Sequence, residues 1–368
     1  MFQLFKTKKN HFVGVDFGTS AIKIVELSFD GEKIHLENYG WLDLDEALQN
    51  ETASQGLPQM QTYEAKVKKF LGILLEKMEI REKEAYVAIP GFSGLITLVE
   101  FPEMGPEELE KAIHFESHKY IPSTIEDIAM SWEVVGTRGG QKAEALDGSV
   151  SGAKKLQVLL VAAPKKEIAK YEKMMDGSGL EISAIELETF SIVRAVLEEK
   201  MGNSLIVDIG SRATNIVLVE NGIVKVNRNI DAGGNEVTGT IAESMKISKQ
   251  RAEAFKKGEK DLLNEVGTAI VMPVLEMIAS EALRITTAYS QKDPDFKIQT
   301  VIISGGLSKM KGIEKYFSKI LNLPILIANP WRNISFDEKL QKNIPEIGAS
   351  FSVAIGLALR GIEDLKHK

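Results

Sequence analysis

Cysteine is absent from all 368 residues, which excludes a disulfide framework, a zinc–thiolate centre and a catalytic thiol. No apolar run approaches the roughly 18 residues a membrane-spanning helix requires. The stretch 12–17 is short and carries Asp16, and Lys6, Lys8 and Lys9 before it are not followed by the apolar core of a signal peptide. That tail reads as solvated chain, with contact to anionic lipid as the other reading. Positive charge is also scarce. A formal net charge of −7 and a pI of about 5.5 leave no surplus for a nucleic-acid-binding face. What is present is ordinary globular composition, 44% hydrophobic and 26% charged, on a chain long enough to need more than one core.

Turn signals cut the start of the chain into three strands, 12–17, 21–28 and 33–39, joined at Gly18-Thr19 and at Asp30-Gly31. Val67, Phe70, Leu71, Leu74, Leu75 and Met78 recur at helical spacing and predict a helix over 63–78, followed by a strand at 85–90. After Gly91 the texture changes. A strand at 95–101 precedes a helix opened by Pro106 and running to about 118, with acids in its first turn. Strands at 132–135 and 156–163 and a helix at 167–175 complete a block, 91–184, that reads as a small inserted α+β subdomain. The polar stretches 46–61 and 136–155 lack periodicity and read as loops.

At Ser204 the opening pattern returns. VGVDFGTSAIKIVELSFDGEKIHL and IVDIGSRATNIVLVENGIVKVNR agree in order and spacing about 190 residues apart. This is an internal repeat and implies two similar domains facing each other. Helices then follow at 235–245, 248–257 and 266–291, the last interrupted by Pro273. A strand at 300–304 runs into Gly305-Gly306, with a helix at 309–321, a strand at 325–328 and an apolar, small-residue helix at 348–361.

A carboxylate at a strand end, followed by a glycine turn, suits phosphate chemistry. In DFGTS at 16–20, Gly18 permits close approach, while the Thr19 and Ser20 hydroxyls and backbone N–H groups donate to phosphate oxygens. Lys23 follows on the next strand. Asp16 is repelled by phosphate and suits Mg²⁺, held through water. Asp208, Gly210, Ser211, Thr214 and Asn215 repeat the arrangement. Singly, each turn is equally an ordinary polar hairpin; as a pair they suit a phosphate chain clamped from both sides. Gly305 and Gly306, with Ser308 and Lys309 at the helix start, let backbone lie flat against a base or ribose, although a packing glycine looks the same in isolation. Gly233, Gly234 and Asn235 precede a helix in the same way and are placed to approach phosphate or sugar.

In order, DFGTS, DIGSRATN, GGNEVT, ISGGLSKMKG and the apolar terminal helix resemble the actin/Hsp70/sugar-kinase ATPase superfamily. The resemblance implies an α/β, actin-like (ribonuclease H-like) fold of duplicated lobes around a nucleotide cleft, with ATP and Mg²⁺ as ligands. It implies connecting helices at 188–200 and 348–361, the second packing closely through Ala349, Ala354, Gly356 and Ala358. Glu186 and Glu188, at the entry to the first, are then candidates to position water for hydrolysis; an acidic helix N-terminus is the other reading. FVGVDFGTSAIKIVELS, ELETFSIVRAV, GGNEVT and AEAFKKG narrow the likeness to the PilM family of type IV pilus assembly proteins and its FtsA relatives. Both carry an extra subdomain where 91–184 lies. The implied division is a first lobe of 1–90 with 185–203, the insert at 91–184, a second lobe at 204–345 with a helical part at about 235–298, and a returning helix at 346–368.

The likeness to PilM implies a cytoplasmic ATP-binding adaptor that reaches the inner membrane only through partners. Those are the N-terminal peptide of a PilN-like membrane protein, bound between the first lobe and the insert, with the pilus motor ATPases and further copies of the chain. Leu109, Ala112, Ile113 and Phe115, with the strand 95–101, suit either such a groove or plain core packing. The ending ALRGIEDLKHK lacks the amphipathic tail of FtsA-like filament formers, and the insert has few convergent polar residues for a small-molecule kinase. Turnover of ATP is expected to be slow or negligible, the nucleotide acting as a ligand that closes the lobes.

Overall fold

The computed structural model describes residues 10–44, 47, 63–80, 82–121, 124–138, 154–265, 269–292, 296–340 and 343–367. The N-terminal lysines and most of the expected loops at 46–61 and 136–155 lie outside the described residues. The chain opens with β1 (Asn10–Phe17), β2 (Ala21–Phe29), β3 (Ile34–Asp43), α1 (Tyr63–Met78) and β4 (Glu84–Ile89). The insert follows as β5 (Leu95–Pro102), α2 (Pro106–Ser117), β6 (Ile128–Arg138) and β7 (Lys155–Pro164). Next come α3 (Lys165–Met175), β8 (Glu181–Leu187) and α4 (Glu188–Val196). The second lobe contains β9 (Ser204–Ile209), β10 (Thr214–Glu220), β11 (Ile223–Ile230), α5 (Gly234–Met245), α6 (Lys249–Lys256), α7 (Pro273–Lys292), β12 (Thr300–Ser304), α8 (Ile313–Leu321) and β13 (Ile325–Ile327). Finally β14 (Ile334–Ser335), α9 (Ile344–Ile347) and α10 (Ser352–Lys366) return to the first lobe.

The two lobes have one topology. The first sheet runs β14-β3-β2-β1-β4-β8 and the second β11-β10-β9-β12-β13, so each holds a three-stranded antiparallel meander extended by two parallel strands, and β14 adds a sixth strand to the first. The central strands β1, β9, β10 and β12 are buried along most of their length because both faces of the sheets are covered. Between the sheets lies a core to which Val25, Leu27, Ile206 and Val217 contribute with Ile192 of α4 and Ala354, Leu357 and Ala358 of α10. Outside them, α1 and α3 cover the first sheet, while α5, α7 and α8 cover the second. Glycine sets the inner layer's spacing. A Cβ on Gly14 would lie 2.0 Å from the Ala354 carbonyl oxygen, and one on Gly356 1.9 Å from that of Ser191. The close packing of α10 is therefore met at α4 and at β1 alike.

Several boundaries move. Tyr171, Met174 and Met175 of α3 bury into the first-lobe core and β8 joins the first sheet, so the insert ends near residue 164 rather than 184. The second lobe ends soon after β13 rather than at 345, because β14 pairs parallel with β3, Ser335 opposite His35. Pro273 opens α7 instead of interrupting a longer helix; its fixed φ and missing N–H suit a first-turn position. The helix expected at 309–321 begins only at Ile313, after a short 3-10 turn, because Gly312 is left-handed at φ 85°.

Candidate functional site

Two hairpins assemble the site. The pairing of β1 with β2 puts Asp16 opposite Lys23, and that of β9 with β10 puts Asp208 opposite Asn215. Each turn then doubles back over its glycine. A Cβ on Gly18 would stand 2.9 Å from the Ala21 carbonyl oxygen, and one on Gly210 2.9 Å from that of Ala213. The two turns are therefore copies in geometry as well as in wording. They also meet: Thr19 Oγ1 and Ser211 Oγ, equivalent positions 192 residues apart, stand 2.6 Å from each other. A third wall comes from β12. Gly305 has φ 82°, and a Cβ there would lie 2.3 Å from the Ile209 carbonyl oxygen, so only glycine lets this turn rest on β9.

Three carboxyl groups stand behind the turns, Asp16 buried and Asp208 and Glu188 half-buried. Burial raises Asp16, and Lys23 Nζ at 3.4 Å pulls it back down. Burial pushes Asp208 up to about 6 against a hydrogen bond from Ser304 and the attraction of Lys23. Burial likewise pushes Glu188 up to about 7. This happens although the Gly91 N–H at 2.8 Å and Asn215 Nδ2 at 2.7 Å both donate to its Oε1. Asp208 and Asp16 add repulsion. Three desolvated acids against the single ammonium of Lys23, the one cation among the described residues lining the cleft, leave a deficit of positive charge. No three acid or imidazole side chains among the described residues converge to ligate an ion directly. A hydrated divalent cation carried in with phosphates suits that donor set, with Asp16 and Asp208 accepting from its water shell.

Asp16, Gly18, Thr19, Ser20, Lys23, Glu188, Asp208, Gly210, Ser211, Asn215, Gly305 and Gly306 all line one cleft, of about 90 Å³. The other candidates stand one layer back. Thr214 Oγ1 donates to the Ala232 carbonyl at 2.8 Å, and Ser308 Oγ to that of Gly305 at 2.7 Å. Gly234 and Asn235 give their N–H groups to the Gly210 and Ser211 carbonyls at 2.9 and 2.8 Å, while a Cβ on Gly233 would stand 2.5 Å from Gly210 O. That turn braces the second hairpin. Lys309 is exposed and outside the lining.

Glu186 separates from Glu188. It is held by Arg194 Nη1 at 2.7 Å, Arg360 Nη1 at 2.9 Å and Ser191 Oγ at 2.5 Å, tying β8 and α4 to α10 away from the cleft. Strand alternation would keep residues two apart on one face, but β8 ends at Leu187 and Glu188 is the first residue of α4, where the change to helix turns it inward. Other cleft residues escaped sequence reasoning. Phe92, half exposed on the turn that leads into the insert, and Ser350 and Ser352 ahead of and at the start of α10, line the cleft. No local pattern marks them; the Pro90-Gly91 pair was the one signal near Phe92. In the insert, Leu109 and Ile113 pack with Val99 and Phe101, whereas Phe115 is 73% exposed.

A duplicated sheet of a three-stranded meander with two added parallel strands, two touching Asp-x-Gly turns and a glycine-walled cleft between lobes define a protein of the actin-like ATPase fold. The chain matches the family described as type IV pilus assembly protein PilM over residues 14–362, and it belongs to that family. Its fold resembles a solved PilM-PilN type IV pilus biogenesis complex with a TM-score of 0.75 at 24% identity, covering 95% of this chain and 98% of that one. MreB5 of Spiroplasma citri bound to AMPPNP aligns with a TM-score of 0.50 at 14% identity, over 98% of this chain and 99% of that one. Among curated relatives, cell division protein FtsA of Pseudomonas aeruginosa is 22% identical over 295 residues, 73% of this chain and 69% of the relative. FtsA of Streptococcus pneumoniae is 19% identical over 80% of this chain, which spans 66% of its length. Among the described residues no helix is long and apolar enough to cross a membrane.

Proposed function

We propose that the chain binds Mg·ATP between its two hairpin turns and acts as an adaptor in type IV pilus assembly. The paired turns carry the reading: two geometric copies of one Asp-x-Gly hairpin meet at Thr19 and Ser211 over a cluster of desolvated acids. Phosphate oxygens accept from the turn N–H groups, the Thr19, Ser20 and Ser211 hydroxyls and Lys23. Asp16 and Asp208 hold the metal through water, and the metal neutralises charge that the cleft lacks. Gly305 and Gly306 offer a flat backbone surface to the adenosine. Glu188, near neutrality in its protonation, is suited to hold a water at the terminal phosphate as a weak base. With turnover slow, the nucleotide serves chiefly to fasten the lobes.

The partner in this reading is the short N-terminal peptide of a PilN-like membrane protein, docked between the first lobe and the insert; on the insert's α2, Phe115 leaves an aromatic side chain uncovered. Placement in the cytoplasm, attachment to the inner membrane through that partner, and contacts with pilus motor ATPases and further copies follow from the same reading. Fluorescence titration with labelled ATP tests the site: Asp16→Ala should weaken Mg·ATP binding at least tenfold, and unchanged affinity would refute it. A pull-down with the partner peptide, with and without nucleotide, tests the adaptor role separately.

A further inference from the structure

A second cavity, of about 290 Å³, lies where the insert meets the second lobe, and it shares no lining residue with the nucleotide cleft. Glu100 of β5 and Gln157 of β7 form its insert side. Glu220 and Lys225 of the β10–β11 hairpin, with Tyr289 and Lys292 of α7, form the other. At about 30 Å³ for each water, the space holds on the order of ten waters or a small organic molecule. Its walls are polar, so it is not an apolar packing void.

The acids in the wall are already served. Glu220 lies 3.3 Å from Lys225 Nζ and accepts from the Tyr289 hydroxyl at 3.3 Å. Glu100 pairs with Lys155 at 3.3 Å. The cations are served less fully. The Lys225 side chain is only 8% exposed, and its ammonium carries three donors. Two of them reach partners, Glu220 at 3.3 Å and Gln157 Oε1 at 3.4 Å, both long for charged hydrogen bonds. Lys292 makes no ion pair with any of the described residues. The unmet capacity of the cavity is thus donor capacity on two ammonium groups, and a small anion would satisfy it.

We propose that this cavity is a binding site for a small oxyanion-bearing molecule, a phosphate or carboxylate compound, held between Lys225 and Lys292. Because its walls come from two structural units, the occupied site fastens the insert to the second lobe. The assignment is independent of what fills the nucleotide cleft.

Calorimetric titration of the full chain tests it, with Mg·ADP saturating the cleft and ionic strength held constant. Inorganic phosphate, pyrophosphate and citrate serve as probes, and the headgroup that binds identifies the source. At least one is expected to bind with a Kd below about 1 mM. Lys292→Gln, at an exposed position that folding does not depend on, should weaken it tenfold or more, as should Lys225→Gln. Glu220→Gln should tighten it, since that change removes a repelling carboxylate and releases Lys225. Binding no tighter than about 10 mM for every probe would overturn the proposal. So would lysine variants that bind like the parent, or a Glu220→Gln variant weakened alongside them.

Discussion

Glu188→Gln offers the sharpest check on the electrostatics of the cleft. Desolvation pushes this half-buried carboxyl up to about 7 from its ordinary 4.5. A value raised by folding means that the folded state favours the protonated form. Stability is therefore fullest below about 4.5 and falls as pH rises to about 7, above which the whole cost of the buried charge is present. At roughly 1.4 kcal/mol per pH unit, that cost is on the order of 3 kcal/mol. Glutamine keeps the Oε1 that accepts from Gly91 N–H and Asn215 Nδ2 and removes the charge. The variant should match the parent near pH 4.5 and exceed it by up to about 3 kcal/mol at pH 8. For a chain of this length that is a rise in Tm of roughly 4 °C, taking about 2 cal/mol/K of unfolding entropy per residue. Thermal melts of the nucleotide-free protein at intervals from pH 4.5 to 8 measure it. A gain that is the same at every pH, or a loss at pH 8, would refute the desolvation argument.

Asp208→Asn should follow the same sign, its gain appearing as pH rises from 3.8 through about 6; melts across that window read it. Gly356→Ala drives a methyl to 1.9 Å from the Ser191 carbonyl oxygen, and should cost about 3 kcal/mol by forcing α10 away from α4, measurable by urea denaturation. Arg194→Met leaves Glu186, 7% exposed, with Arg360 as its remaining cation. It should cost about 3 kcal/mol while sparing nucleotide affinity; a selective loss of nucleotide affinity would return Glu186 to the site.

Much of the fold was legible because its cause is local. The α1 helix spans Tyr63–Met78, as the stripe from Val67 to Met78 requires, and each meander is announced by an Asp-Gly or Asn-Gly turn. The duplication was legible too, since a repeated sequence under the same packing demands yields repeated geometry. What misled was local wording read without its neighbours. Pro273 looks alike whether it breaks a helix or begins one, and the helix-like stretch after Lys309 does not reveal that Gly312 turns left-handed against Asp261 and Asn264.

The chain by itself determined the chemistry of the cleft: carboxylate, glycine and hydroxyl at fixed offsets in two hairpins, with Lys23 opposite the acid in the first and Asn215 in the second, each set by strand register. Tertiary structure alone decided which groups share that cleft and in what protonation state. Glu186 and Glu188 are two residues apart, yet one is consumed by Arg194 and Arg360 while the other stands half-buried near Asp16 and Asp208. Distance through space and exclusion of water set that difference, and neither is written in the order of residues. The meeting of Thr19 with Ser211 has the same origin, since two distant copies touch only when the lobes close on a shared core.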